Sequence, residues 1–325
     1  MQFACAADEV WRLQRGSDED CLLFQRWSNR GKRITDRGTR QGFWVFSPGG
    51  EVLGRINSRN PEKVCAMLDG ALERWAELDD KARQLDPTAE VAPAHRWEDG
   101  YPDGGLALER FSRDIDERSP EGEPSNRWNR DTVWFSAGEV RAMLPQSTAV
   151  GDTFALDVLA DRLARYVLVD DAHGQTLPYA TQELERAELV ARVVAIDSAH
   201  ATVELTGATA AAVTDDEWLY GDDQWRPKRR FPHSIRTTVA GTATLDLVAG
   251  TFVDVDLVAL GVRTGRTNFN GRGREGNTSL LGFHLSLAPD RLPPTFVSLY
   301  GVDWIPKPEV PTWRDSPEEA GVGGR

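Results

Sequence analysis

The clearest periodic signal lies near the end of the chain, in TTVAGTATLDLVAGTFVDVDLVALGVRTGRTNF. Val253, Val255, Leu257 and Ala259 alternate with Asp254, Asp256 and Val258, between Ala249-Gly250 on one side and Gly261 on the other. A period of two with one dry and one wet face predicts a strand of an antiparallel sheet. The same alternation runs through Leu189, Ala191, Val193 and Ala195, and again through Val203 and Leu205 in ATVELTG. Further strands are expected over Gly105–Ile115, Asp131–Phe135 and Leu280–Ala288. Two helices interrupt this β-rich region. Ser136-x-x-Glu139 forms a capping box before Val140, Met143 and Leu144, and Leu156, Leu159, Leu163 and Val167 fall in phase over about Leu156 to Leu168.

Residues 1–78 have a different texture. A strand is expected over Gln2–Ala6, and a short amphipathic piece follows with Val10, Leu13 and Gln14. A second helix then starts after a Ser17/Asp18 cap, carries Leu23, Phe24 and Trp27, and ends at Gly31. Phe43–Ser47 and Glu51–Ile56 flank Pro48-Gly49-Gly50, the pattern of a hairpin with a short glycine turn. Asn60-Pro61 is a cap followed by a first helical residue, and Val64, Leu68, Ala71, Leu72 and Trp75 share a helix face up to about Leu78. Residues 79–100 are charged, proline-containing and aperiodic, as a linker is. The fold class expected is therefore α+β: a small α/β segment (1–78), a linker (79–100), a larger, mainly antiparallel β domain built as a sandwich or open barrel with a few helices (101–305), and an extended or disordered tail (306–325).

The run TRQGFWVFSPGGEVLGRINSRNPEKVCAMLDGALERW resembles the closing hairpin and helix of the thioredoxin-like superfamily, including the glycine turn and a tryptophan near the helix end. It also looks like a bacterial family that joins such a segment to a β-rich region. The resemblance implies a thioredoxin-like scaffold. Disulfide exchange would need Cys-x-x-Cys at a helix start and a cis-proline before the hairpin. The chain has no Cys-x-x-Cys, and Thr39-Arg40-Gln41-Gly42 stands before the hairpin.

Composition narrows the chemistry. The chain has 325 residues, 40% hydrophobic and 27% charged, with a net charge of −13. That balance speaks against wrapping nucleic acid or binding anionic lipid by bulk charge, and favours a small or neutral partner. No apolar run approaches the roughly 18 to 20 residues of a membrane helix, and the N-terminal stretch lacks the pattern of a secretory signal, so a cytoplasmic setting without membrane insertion is the default expectation.

Three cysteines are too few for a disulfide framework. Cys21, close to a helix start and to Asp18, Glu19 and Asp20, is the candidate reactive thiol, with Cys5 or Cys65 to resolve it. Asp170, Asp171 and His173 crowd one loop, where they would bind a cation or exchange a proton. Arg226, Lys228, Arg229 and Arg230, interleaved with aromatics, form one basic loop, and Arg272 and Arg274 lie in a second, glycine-rich one. Such loops contact phosphate or nucleic acid when they come together. The five histidines show no metal-ligand spacing, and neither basic loop matches a nucleotide-binding fingerprint, so no metal or cofactor is expected. Trp97, Trp128, Trp218, Trp225, Trp304 and Trp313 stand in polar or loop contexts, as interface aromatics do. The reading these residues favour is a non-enzymatic binding or scaffold protein with a protein partner or a homo-oligomeric state. A thiol redox protein and a phosphate or nucleic-acid binder are the alternatives.

Overall fold

The structure is a computed structural model. It describes residues 3–4, 10–15, 17, 19–31, 40–58, 60–85, 100–115, 128–145, 148–174, 176–214, 217–220, 228–267, 270–272, 278–294, 298, 301–304 and 312–314. The chain forms two compact units, Met1–Arg96 and Trp97–Arg325.

In the first unit, helices α1 (Val10–Arg15) and α2 (Glu19–Gly31) precede an antiparallel hairpin, β1 (Phe43–Phe46) and β2 (Val52–Ile56), and helix α3 (Pro61–Glu77). Asn60 caps α3 through its side chain, which accepts from the Lys63 amide at 3.0 Å, and Pro61 fills the first helical position, where no amide is needed. Val45 and Leu53 of the hairpin pack on Ala71 of α3, with Met67, Leu68, Trp75 and Leu78 around them. The turn requires glycine at Gly50. Its φ is +77°, and a Cβ there would lie 2.4 Å from Trp27 Nε1. The strand expected over Gln2–Ala6 falls mostly outside the described residues, and Phe3 and Ala4 are not in a strand. Phe3 instead packs against the small core beside α3.

The second unit is dominated by one eight-stranded antiparallel sheet. Its strands are β3 (Leu106–Asp114), β4 (Trp128–Phe135), β5 (Thr153–Ala155), β6 (Leu184–Ile196), β7 (His200–Val213), β10 (His233–Asp246), β11 (Thr251–Gly265) and β12 (Ser279–Leu287), in the spatial order β4-β3-β12-β11-β10-β7-β6-β5. A separate three-stranded sheet has the order β13-β8-β9, from β8 (Glu217–Tyr220), β9 (Lys228–Arg230) and β13 (Thr312–Arg314). Within the tail expected to be extended or disordered, Thr312–Arg314 is an extended strand that finds hydrogen-bonding partners in β8.

Of the mainly antiparallel β domain expected as a sandwich or open barrel, the antiparallel sheet is present, and among the described residues no second sheet packs on its dry face. Alternation fixes which face of a strand is dry but not what covers it, and here the cover is helical. Helices α4 (Ala137–Met143) and α5 (Asp157–Arg162) pack their Val140, Met143, Leu159 and Ala160 into the same core as Leu189, Val203, Val239, Leu257 and Phe283 of the sheet. The helix expected to run to Leu168 widens after Arg162 into a π turn over Leu163–Val167, closed by the Leu168 amide on the Leu163 carbonyl at 2.8 Å. Val253, expected on the dry face, is exposed. In the β10/β11 register Leu245 faces Phe252 and Thr244 faces Asp254, so Val253 is the extra residue of a bulge, and Phe252 and Val255 turn inward around it.

Candidate functional site

Along β3 the inward positions read Leu106, Leu108, Arg110, Ser112, Asp114, so the core face changes from apolar to ionic halfway along the strand. β4 repeats the change next door, because Arg110 is paired with Asp131 and Ser112 with Asn129 in the register. β11 ends in the same way, with Leu257, Ala259 and Gly261 followed inward by Arg263. The loop after the π turn closes this end of the sheet, and Leu168 and Val169 enter the core just before Asp170 and Asp171.

Asp171 is the centre of one half of the cluster. It accepts two parallel bonds from Arg110, Nη1 to Oδ1 at 2.7 Å and Nη2 to Oδ2 at 2.5 Å. It also accepts from Ser112 Oγ and Asn129 Nδ2, both at 3.0 Å. Asp131 adds a second carboxylate 3.5 Å from Arg110, and all three ionic side chains are removed from solvent. Burial alone would lower the Arg110 pKa, but the two aspartates outweigh it and hold the guanidinium above its ordinary value.

Asp170 and Asp114 organise the other half around Arg272. Arg272 donates Nη1 and Nη2 to the two oxygens of Asp114 at 2.9 Å each, and Nε and Nη2 to Asp170 at 3.0 and 2.5 Å. Arg263 Nε lies 3.1 Å from Asp170, and Asn270 Nδ2 donates to the same carboxylate at 3.0 Å. His173 Nε2 bonds to Asp114 Oδ2 and also lies 3.0 Å from Arg272 Nη1. Ionised Asp114 can only accept, so Nε2 of His173 donates to it, and Nε2 and Arg272 Nη1 are neighbours because they share that acceptor. Burial would raise the Asp114 pKa, yet the bonds from Arg272 and His173 hold it below the ordinary carboxylate value. Burial lowers Arg263, and burial in Arg272 is more than offset by its two aspartates, which push it up. Gly271 lets the loop close: its φ is +67°, and a Cβ would lie 2.9 Å from the His173 carbonyl oxygen.

Three arginines therefore meet four aspartates in two adjoining sets of ion pairs, Arg110 with Asp131 and Asp171, and Arg263 and Arg272 with Asp170 and Asp114. The sequence placed Asp170, Asp171 and His173 in one loop and Arg272 in another, and the structure brings them together: the cations the aspartates hold are arginines. Arg110, Asp114, Asp131, Arg263 and Asn270 were missed. Their signal was in the strands, where ionic residues continue the dry phase of β3, β4 and β11. The pairing fixes two loops to the sheet and keeps Asp114 ionised, and no member stands apart as a nucleophile.

The remaining candidates lie elsewhere. Cys21 is fully buried in α2, Cys65 is exposed on α3, and Cys5 lies outside the described residues. Lys228, Arg229 and Arg230 form β9, while Arg226 and Arg274 lie outside the described residues. Among the described residues no group of three or more His, Cys, Asp or Glu side chains is arranged to hold a metal ion, and no helix is long and apolar enough to cross a membrane. A polar cleft of about 440 Å³ lies beside the π turn, lined by Asp157, Asp161, Arg165, Tyr166 and Asp303. Arg162 forms part of its lining and is held by Glu139 and by the Trp134 carbonyl at 2.8 Å.

The second feature of the unit is the outer face of the sheet. On β11, Val258, Leu260 and Val262 point away from the core and are 53, 49 and 46% exposed. The register sets Leu280 beside Val262, Gly282 beside Leu260 and His284 beside Val258. One strand further, Ile115 covers Gly282, and Phe111 is paired with His284. Exposed Trp128 extends the row on β4. Arg113, in register between Gly282 and Trp128, is the charged member of the row. A group of neighbouring exposed apolar side chains such as Val258, Leu260 and Val262 points to a contact site, whereas single exposed apolar residues do not.

Compared with family models, curated proteins and solved structures, the chain matches none.

Proposed function

We propose that this protein is a non-enzymatic binding protein and that the outer face of its large sheet is the contact surface. The observation that carries the reading is the row of exposed Val258, Leu260 and Val262 on a central strand, continued by Leu280, Ile115 and Trp128. The buried network supports it from the other side, because Asp170, Asp171 and Asp114 spend their hydrogen-bonding capacity on arginines that hold the sheet and its loops in shape. The sheet is then a stiff platform, and its outer side chains do the recognition. In the same proposal the first unit is a thioredoxin-like scaffold without the exchange chemistry, a role that suits a fully buried Cys21.

The test uses full-length tagged protein at native abundance in its host cell. Wild type is expected to elute in gentle extracts at a mass above the monomer, and Leu260→Arg at the monomer mass with an unchanged unfolding midpoint. Identical elution of wild type and Leu260→Arg overturns the proposal.

A further inference from the structure

One charge interrupts the exposed apolar row. Arg113 lies on the outer face of β3, in register with Gly282 of β12 and Trp128 of β4. Phe111 and Ile115 flank it two residues away on the same face, Phe111 and Trp128 hold their ring centres 6.1 Å apart, and Gly282 leaves no side chain between Arg113 and Leu260. Other charged side chains around the row are paired, Asp256 with His284, Arg130 with Glu109 and Arg236 with Glu185. Arg113 is exposed and makes no hydrogen bond, ion pair or ring contact among the described residues.

A partner that covers Leu260 and Trp128 also covers Arg113, and a cation moved from water into an apolar contact is strongly disfavoured without an anion beside it. The partner therefore has to bring one. A polyanion such as nucleic acid or an anionic membrane is opposed by the net charge of −13, whereas a single carboxylate among apolar side chains meets one guanidinium at short range. We infer that the partner of this face is an amphipathic helix of another protein with an Asp or Glu in the middle of its apolar stripe, seated so that the carboxylate pairs with Arg113. The inference rests on the proposed function above and names the chemistry of its partner. Sheet faces are covered by helices or by a second sheet, and the dimensions here fit one helix. Val258 to Val262 spans about 14 Å along β11, roughly two to three helical turns, and β11 to β3 is about 10 Å across, one helix width. Trp and Arg among apolar contacts are also the residues on which binding energy concentrates.

Arg113 holds no part of the sheet in place, so reversing its sign changes which partner fits without changing the fold. Arg113→Glu is then a switch of specificity, in which a helix with Lys at its centre replaces one with Glu. Arg141→Glu, at an exposed position of α4 on the opposite face of the sheet, alters the total charge by the same amount and should leave the choice as it was.

The experiment is fluorescence anisotropy of two synthetic helices of about 18 residues, alike except for Glu or Lys at the centre of a Leu/Ala stripe, titrated with the full-length chain at about 0.15 M salt. The Glu helix is expected to bind wild type with a Kd at or below about 100 µM, and the Lys helix at least about tenfold more weakly. Arg113→Glu is expected to invert that order, Arg141→Glu to keep it, and Leu260→Asp to abolish binding of both helices. No binding of either helix overturns the inference, as does an order that Arg113→Glu leaves in place or binding that Leu260→Asp does not weaken. Equal binding of the two helices that Leu260→Asp abolishes overturns the carboxylate partner and leaves the contact surface intact. The same holds if neither helix binds while host extracts contain a high-mass species that Leu260→Arg abolishes.

Discussion

Replacing Asp171 by Ala tests whether the ionic cluster is the brace described above. The change deletes the acceptor of two Arg110 bonds, one Ser112 bond and one Asn129 bond, and leaves a guanidinium with no solvent exposure facing Ser112 Oγ at 2.9 Å and a single carboxylate, Asp131, at 3.5 Å. An uncompensated buried charge of this kind costs about 3–5 kcal/mol, far above the roughly 0–1 kcal/mol of an exposed pair. The triple variant Arg110→Met, Asp131→Leu, Asp171→Leu removes the charges together and exchanges the network for apolar contacts with neighbouring Leu108 and Val133. It is expected to cost less than Asp171→Ala alone, because the desolvation penalty disappears with the charges. Urea unfolding read by hydrogen exchange in peptides from β6 and β12 isolates the second unit from the first. If Asp171→Ala costs less than about 1 kcal/mol, or if the triple variant costs more than the single one, the brace reasoning is wrong.

Other outcomes follow from individual contacts. Asp114 is held below the ordinary aspartate pKa of about 3.9 by Arg272 and His173, so the folded state binds fewer protons than the unfolded chain in that window. Stability is therefore fully present above about pH 4 and is lost as pH falls through the lower folded value, and Asp114→Asn should flatten this part of the pH dependence of the urea midpoint. In the first unit, Gly50→Ala meets both a φ of +77° and the Trp27 ring, and should lower the hairpin's stability by more than about 1 kcal/mol in exchange measurements. Ser136→Ala removes the capping box of α4 and should cost about 0.5–2 kcal/mol. Timed alkylation of native protein should label exposed Cys65 first and buried Cys21 only on unfolding; rapid labelling of Cys21 would favour a redox role.

The strands and helices were largely legible because their signals are local. The Asn60-Pro61 and Ser136-x-x-Glu139 caps, the Gly49-Gly50 turn and the alternation of β6, β7 and β11 each follow from side chains near in sequence. Local signals failed where the outcome depends on partners far along the chain. The covering of the sheet by α4 and α5, the π turn and the pairing of Thr312–Arg314 with β8 are tertiary choices. The Val253 bulge breaks a perfect alternation that gave no warning. For the ionic cluster, the loop charges were visible but their partners were not, since 102 residues separate Asp170 from Arg272 and 61 separate Arg110 from Asp171. Val258, Leu260 and Val262 also read ambiguously, because an apolar residue on the wet face of a strand looks the same whether it is covered or open.

The most direct test of the contact surface is a photo-reactive amino acid placed at position 260, with position 248 as the control. Both sites carry exposed apolar side chains, but only the first lies on the outer face of the sheet. The account predicts a discrete adduct from position 260 under native conditions and none from 248, with the 260 adduct lost when Val258 and Val262 are both changed to Asp. Equal labelling from the two positions, or none from 260, would contradict it.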